Sequence, residues 1–216
     1  MAAQTQPHVF TFAMIMLNTL ARPEAAIELS PAQVSLSERL VNLNPEGRKQ
    51  TKKVRPTVPL TDTLKPFLQA TDIPRFVMWN GQPIKSLKRA FARAVREARL
   101  PTEITPYSLR HTMAVELRKR GVPAWEVEGL LGHRRPGVTE TYAEFDPEYL
   151  SAGRTAIDAY FAELKLVYDI PQQLCVSPAC HSLETKKSPS GDFSITSKVR
   201  MVGGTGIEPV TPTMST

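Results

Sequence analysis

The sequence predicts an α+β fold that is predominantly α-helical and contains a small three-stranded antiparallel sheet. Apolar residues recur with a helical period over most of residues 8–167, and short, partly alternating segments interrupt them between residues 34 and 60. Glycine and proline separate these segments. The 216 residues suffice for one domain with a sizeable core and a tail. We therefore expect a domain over residues 1–167 and a poorly ordered tail over residues 168–216, which is rich in Pro, Ser, Thr and Gly.

The N-terminal half is expected to begin with two helices and to continue with the sheet. A compact apolar run without Gly or Pro covers residues 8–20, which is about the length of a buried helix. Pro23 opens a second helical segment that extends to Leu29, because proline is preorganised for a first helical turn. Short, partly alternating segments then predict an antiparallel sheet with a basic loop before its last strand. They cover residues 34–36, 40–43 and 54–60.

Five further helices are expected in the rest of the domain. They cover residues 62–69, 84–98, 108–120, 123–131 and 147–167. A turn over residues 79–81 precedes the second of them, and Gly121 and Gly132 end the third and the fourth, as glycine commonly does. The second helix is amphipathic, with apolar residues on one face and basic residues on the other. Trp125 is expected to lie in the core.

Basic residues outnumber acidic residues, with 27 Lys and Arg against 21 Asp and Glu, for a net charge of +6. Many of them are concentrated in residues 48–55 and 85–99. Such clusters favour an acidic partner, most simply nucleic acid. No apolar stretch approaches the roughly 18 residues of a membrane span. The two cysteines, Cys175 and Cys180, fit a reducing environment, so the sequence predicts a cytoplasmic protein that binds nucleic acid.

Arginine, histidine and tyrosine side chains form a set that suits the chemistry of phosphodiesters. Arg110 begins the sequence Arg-His-Thr, His133 ends the sequence Leu-Leu-Gly-His, and Tyr142 stands nine positions after His133. Cationic side chains can hold an anionic phosphorus centre while a phenol attacks it, so this chemistry needs no metal. His111 is expected to pack inside while Arg110 faces the phosphate.

These fragments resemble the second half of the catalytic domain of the tyrosine recombinase (phage integrase) family. The first half of that domain has a counterpart in residues 20–29, where Arg22 lies on a short helix ahead of the predicted sheet. Residues 50–60 resemble the basic hairpin of the family, whose lysine is thought to protonate the leaving oxygen. Lys52 is assigned to that role, and Lys53 is the alternative because the spacing to the end of the hairpin departs from the commonest one.

The resemblance implies the tyrosine recombinase fold and an activity that breaks and rejoins DNA strands. A tyrosine attacks a DNA phosphate, releases a 5′-hydroxyl and forms a 3′-phosphotyrosine, which a second 5′-hydroxyl resolves. Neither a cofactor nor a metal is expected, because the protein linkage conserves the phosphodiester energy. The implied partner is double-stranded DNA at attachment or recombination sites, bound by a homotetramer. The implied catalytic residues are Arg22, Lys52, Tyr107, Arg110, His133 and Tyr142, and the implied DNA-binding residues are Arg48, Lys49, Lys53, Arg55, Arg134 and Arg135.

Two positions depart from the family pattern. Tyr107 stands where most members have a histidine, and Ala25 stands where an acid usually supports the first arginine. A phenol can donate one hydrogen bond, but it is a poor general base near neutral pH. The chain also begins just ahead of what resembles the second helix of the catalytic domain, so the first helix and an N-terminal core-binding domain are expected to be missing. A recombinase is the main interpretation, and a truncated, non-catalytic DNA-binding remnant is the alternative.

Overall fold

The structure is a computed structural model that describes residues 6–133 and 150–167. The helices in these residues are α1 (Pro7–Thr19), α2 (Pro23–Glu28), α3 (Lys88–Glu97), α4 (Pro106–Lys119), α5 (Ala124–Leu131) and α6 (Ser151–Val167). The strands are β1 (Val34–Ser35), β2 (Leu40–Asn42), β3 (Thr57–Pro59), β4 (Met78–Trp79) and β5 (Gln82–Pro83). The predicted fold class, mainly helical with a three-stranded antiparallel sheet, is confirmed. Within the described ranges, no helix has the length and apolar character needed to cross a membrane.

Helix α1 lies in the centre of the core. Nearly all of its side chains are buried, and it contacts α2, α3 and α4. The ring of Phe12 meets that of Phe91 on α3 edge-on, with the ring centroids 6.3 Å apart. A helix that is apolar on all sides is expected in the interior of a domain. The helix ends at Leu20, a fully buried residue in the left-handed backbone conformation (φ 51°), so the chain turns sharply towards α2.

The three-stranded sheet has the order β1-β2-β3, and both neighbouring pairs are antiparallel. Val41 in β2 pairs with Val34 on one side and with Val58 on the other. Val41 and Val58 are fully buried, so one face of the sheet packs on the core. The long loop between β2 and β3 carries the basic residues of segment 48–55.

The first helix predicted after the sheet is only a short 3₁₀ turn, Lys65–Leu68. Pro66 lies in this turn and has no backbone N–H to donate to a helical hydrogen bond. The backbone N–H groups of Asp62 and Thr63 are instead bound by the carboxylate of Asp158 on α6, at 3.1 and 2.9 Å. The sequence pattern was helical, but side chains from elsewhere in the fold satisfy the backbone here.

The other predicted helices are present, with shifted boundaries. Helix α3 begins at Lys88 rather than at residue 84, and residues 84–87 form an irregular connection after the hairpin of β4 and β5. Helix α4 begins earlier than predicted, at Pro106, and the backbone N–H of Thr105 donates to Oγ of Ser108 at 3.1 Å. The predicted start of the last helix at residue 147 and the predicted tail lie outside the described residues.

Helix α6 packs against α4 and α5, and charged side chains tie it to both. Arg120 after α4 donates to both carboxylate oxygens of Glu163, at 2.8 and 2.6 Å. Glu126 on α5 is buried and accepts a hydrogen bond from the backbone N–H of Gly153 at 2.8 Å. A carboxylate is favourable there because the first turn of a helix has unsatisfied N–H groups and a positive dipole. Helix α5, which precedes His133, is therefore held firmly against the rest of the domain.

Candidate active site

Arg22 lies at the corner between α1 and α2. It directly precedes Pro23, the first residue of α2, and has the extended backbone of a residue that caps a helix (φ −70°, ψ 150°). Its Nη1 donates to the carbonyl oxygen of Val54 at 2.5 Å. This hydrogen bond joins the corner to the end of the basic loop, so the positions of the loop and of Arg22 depend on each other.

Arg110 on α4 is buried, and its guanidinium binds the C-terminal ends of two other helices. Nη1 donates to the carbonyl oxygen of Leu20, which follows α1. Nη2 donates to the carbonyl oxygen of Leu131, the last residue of α5, at 2.6 Å. Carbonyl groups at helix C-termini carry partial negative charge, which favours a cation. A guanidinium has five N–H donors, so these two contacts are compatible with binding an anion as well.

The positive charges of Arg22 and Arg110 influence each other. Burial and, to a smaller extent, the charge of Arg22 lower the pKa of Arg110 to about 10, and Tyr107 acts in the opposite direction. Arg110 is still a cation at neutral pH, and two guanidinium groups that repel each other create a favourable place for an anion. A bound phosphate would relieve this repulsion and accept bidentate hydrogen bonds from both groups.

His133 directly follows the glycine that ends α5. Gly132 is in the left-handed conformation (φ 63°), and its N–H donates to the carbonyl of Gly129 at 2.9 Å. The N–H of His133 donates to the carbonyl of Glu128 at 2.9 Å, which completes a Schellman arrangement and fixes the backbone of His133. A Cβ atom on Gly132 would lie 2.7 Å from the carbonyl oxygen of Val54, so the turn and the basic loop pack closely.

His133 lies near Arg110, because the guanidinium of Arg110 binds the carbonyl oxygen of Leu131, two residues before His133. Burial lowers the pKa of the His133 imidazole, and the positive charges of Arg110 and Arg22 lower it further, against a smaller opposing effect of Glu128. The imidazole is therefore mainly neutral at neutral pH and keeps one ring N–H as a donor. We call Arg22, Arg110 and His133 the arginine–histidine cluster.

The pKa of His133 is expected to rise when a phosphodiester occupies the cluster. The negative charge of the phosphate offsets the charges of Arg22 and Arg110, which favours the protonated imidazole. NMR titration of the ring protons of His133 checks this, with and without duplex DNA, in a Tyr142→Phe protein, which lacks the predicted nucleophile. The exposed His111 serves as the internal control. An unchanged pKa of His133 in the presence of saturating DNA would mean that the phosphate binds elsewhere.

The cations predicted to bind DNA have different surroundings. Three of them are exposed in the loop between β2 and β3, namely Lys49, Lys52 and Lys53. Arg48 is half-buried and donates to Oδ1 of Asn44 at 2.7 Å. Arg55 is only 9% exposed, and its Nη1 lies 2.6 Å from Oε2 of Glu28. Its role in DNA binding stays a prediction, and the ion pair favours a structural role instead.

Two of three aromatic side chains on α4 and α5 are more exposed than the sequence predicted. His111 was expected to pack inside, but it is exposed, whereas the neighbouring Arg110 is buried. Trp125 was expected in the core and is 40% exposed, so that prediction was wrong. Tyr107 is 49% exposed and lies one turn before Arg110, close enough for its phenol to affect the pKa of that guanidinium.

Three predicted site residues lie outside the described residues: Arg134, Arg135 and Tyr142. The structure therefore brings together Arg22, Arg110 and His133, and it places the loop of Lys52 beside Arg22 through Val54. Sequence reasoning missed the groups that hold this arrangement. They are the carbonyl groups of Leu20, Val54 and Leu131 and the side chains of Glu28 and Gln50.

Fold and site together define a basic, mainly helical α+β domain in which Arg22, Arg110 and His133 lie near one another. The sequence model of the phage integrase family matches residues 3–148, and the chain belongs to that family. This confirms the family resemblance drawn from the sequence.

Individual relatives match shorter parts of the chain. The tyrosine recombinase XerC of Halalkalibacterium halodurans is 29% identical over 86 residues, which are 38% of this chain and 28% of the relative. An integrase of Streptomyces ambofaciens is 34% identical over 86 residues, or 38% of this chain and 22% of the relative. The chain thus spans less than a third of the length of these relatives. Among solved structures, the Tn1549 transposon integrase in complex with transposon right end DNA matches with a TM-score of 0.48 and 16% identity, over 74% of this chain and 59% of that chain.

Proposed function

We propose that this chain is a site-specific DNA recombinase that cleaves and rejoins DNA through a 3′-phosphotyrosine at Tyr142. The convergence of Arg22, Arg110 and His133 in one cluster carries the proposal. The guanidinium contacts described above are to carbonyl oxygens, which do not neutralise the positive charge. Such a cluster suits a phosphodiester, and membership of the phage integrase family supports Tyr142, nine residues after His133, as the nucleophile.

Each residue has a role that follows from its chemistry. Arg22 and Arg110 donate to the non-bridging oxygens and stabilise the charge that develops in the transition state. The neutral His133 donates its ring N–H to the same phosphate. The Tyr142 hydroxyl loses its proton to water as its oxygen bonds to phosphorus, the bond to the 5′-oxygen breaks, and Lys52 gives that oxygen a proton. A 5′-hydroxyl of the partner duplex reverses the step, so the reaction consumes neither ATP nor a metal ion.

Double-stranded DNA is the proposed partner. The net charge of +6 and the exposed lysines of the β2–β3 loop support this choice. Binding that rests on phosphate contacts weakens steeply as salt concentration rises. We further propose that residues 1–167 form the catalytic domain and that copies assemble as a homotetramer on attachment or recombination sites in the cytoplasm.

Replacing Tyr142 by phenylalanine is expected to abolish a covalent protein–DNA adduct. A nicked suicide substrate loses its short 5′-hydroxyl strand after cleavage, so the 3′-phosphotyrosine accumulates. The measurement is a denaturing gel with labelled DNA. Tyr149→Phe, a second tyrosine close in sequence, is the matched control and should form the adduct at the rate of the unsubstituted protein.

The same experiment distinguishes the alternative function. Tyr107 occupies the position of the usual family histidine, and a phenol is a poor general base near neutral pH, which favours an altered rate of cleavage. Retained, salt-sensitive DNA binding without any adduct would support a protein that binds DNA without cutting it. Absence of salt-sensitive DNA binding would contradict both functions.

A further inference from the structure

We propose that Gln50, Glu28 and Arg55 position the lysine loop, defined as residues 50–55, beside Arg22. This inference rests on the proposed function, because the loop carries Lys52, the proposed proton donor. The three residues act through the lysine and are positioning residues, without contact to the reacting atoms. Arg55 thereby has a different role from the DNA contact expected from its charge.

The side-chain amide of Gln50 closes the loop. Its Nε2 donates to the carbonyl oxygen of Arg55 at 2.8 Å, and the backbone N–H of Arg55 donates to its Oε1 at 3.1 Å. One amide thus binds both backbone groups of one residue, as a neighbouring strand would. Inside the loop, the N–H of Lys53 donates to Oγ1 of Thr51 at 3.3 Å. The loop precedes β3, so these side chains hold it where no strand ladder does.

The buried guanidinium of Arg55 anchors the closed loop to α2. Its Nη1 lies 2.6 Å from Oε2 of Glu28, the last residue of α2. At the other end of the same helix, Arg22 binds the carbonyl oxygen of Val54. Successive loop residues, Val54 and Arg55, are therefore fixed to opposite ends of one helix, which is about 9 Å long. Two attachment points restrict rotation of the loop as well as its distance from Arg22.

This attachment matters because a proton donor must lie within hydrogen-bond reach of the leaving oxygen. Lys52 stands two residues before Val54, so the anchored loop confines its ammonium group to the neighbourhood of Arg22. A displacement of about 1 Å can slow a reaction by about 10²-fold. Glu28 is 38% exposed, and a glutamine in its place keeps a side-chain oxygen that can accept a hydrogen bond from the buried guanidinium of Arg55. Loss of the anchor should therefore affect proton transfer far more than folding.

A pair of substrates that differ in one atom tests the proposal. In the second substrate, sulfur replaces the 5′-bridging oxygen at the scissile phosphate. A thiolate leaves without protonation, because the pKa of a thiol, about 8.5, is far below that of an alcohol. Gln50→Ala and Glu28→Gln should each cleave the ordinary substrate about 10- to 100-fold more slowly in single turnovers. Both should cleave the sulfur substrate within about threefold of the unsubstituted protein, as Lys52→Ala should.

The matched control is Glu97→Gln. Glu97 pairs with Arg93 at 2.6 Å and is 40% exposed, close to the value for Glu28, so it controls for the lost carboxylate charge, whereas its partner Arg93 is 63% exposed and Arg55 only 10%. Glu97→Gln should cleave both substrates at the unsubstituted rate. Equal slowing of Gln50→Ala and Glu28→Gln on both substrates, or no slowing on either, would overturn the positioning role. If the unsubstituted protein formed no Tyr142 adduct with either substrate, the proposed function itself would fail, and the positioning role with it.

Discussion

Replacing Arg110 by lysine is expected to slow DNA cleavage by at least about 10²-fold and to lower the free energy of unfolding by about 2–4 kcal/mol. The guanidinium of Arg110 bridges the carbonyl oxygens of Leu20 and Leu131, and the positive charge of Arg22 acts on it. Lysine keeps the charge, but a compact ammonium on a flexible stem cannot span both carbonyls and bind a phosphate bidentately. Single-turnover cleavage and urea unfolding measure the two effects.

The control for this prediction is Arg118→Lys, on the same helix. Nη1 of Arg118 donates to the carbonyl oxygen of Val122 at 2.5 Å, so this arginine also binds a backbone carbonyl. That contact is local and does not join separate helices. Arg118→Lys should therefore change stability by about 1 kcal/mol or less and leave cleavage unchanged. Equal effects of the two substitutions would show that the hydrogen bonds of Arg110 to two helix ends contribute no more to stability and cleavage than the local hydrogen bond of Arg118.

Replacing Gly132 by alanine is expected to lower the free energy of unfolding by about 2–5 kcal/mol. A left-handed backbone costs an alanine about 1–2 kcal/mol, and overpacking costs about 1–3 kcal/mol more. The added Cβ would lie 2.7 Å from the carbonyl oxygen of Val54 and 2.7 Å from Cδ of Pro56. A backbone carbonyl cannot rotate away as a flexible side chain can. Cleavage should also fall, because Arg22 is held by that same carbonyl and His133 is the next residue.

Gly121→Ala separates backbone strain from crowding. Gly121 has a similar left-handed conformation (φ 81°), but no heavy atom lies within 4 Å of its hypothetical Cβ. Gly121→Ala should therefore lower the free energy of unfolding only by the backbone strain of about 1–2 kcal/mol and leave the cleavage rate unchanged. Urea unfolding of both variants gives the comparison. If Gly132→Ala cost no more than Gly121→Ala, the close contact between the turn and the lysine loop would be refuted.

Much of the fold could be predicted because hydrophobic periodicity and turn residues act locally. Helix α1 and the three short strands follow from such patterns, and Gly132 marks the end of α5. The pattern failed after the sheet, where Pro66 and the carboxylate of Asp158, distant in sequence, replaced a helix by a turn. Local periodicity contains no information about a side chain that approaches from another element.

In the candidate site, the charged residues could be predicted from the sequence, but the groups that hold them in place could not. Arg22, Arg110 and His133 belong to short sequence fragments with recognisable spacing, and the structure brings them together. Their supports could not be predicted, because backbone carbonyls are present at every residue and carry no sequence signal. In the sequence, Arg55 resembles the other basic residues of segment 48–55. The ion pair with Glu28, which lies on another element, distinguishes it from them.

The neighbours Arg110 and His111 show the same limit for buried polar residues. Sequence reasoning placed the imidazole inside, whereas the structure buries the guanidinium. A guanidinium can satisfy carbonyl groups at two helix ends at once, and a neutral imidazole has a single N–H donor. The geometry of the surrounding helix ends, rather than hydrophobicity, therefore decides which residue is buried.

We propose that the arginine–histidine cluster binds the phosphate that Tyr142 attacks. The most direct test of this proposal is mass spectrometry of the protein after reaction with a nicked suicide substrate, nuclease digestion and proteolysis. We expect a nucleotide 3′-phosphate on the peptide that contains Tyr142, with fragment ions that assign it to Tyr142 and not to Tyr149. Unmodified Tyr142 under conditions of full DNA binding, or a nucleotide on another residue, would contradict it.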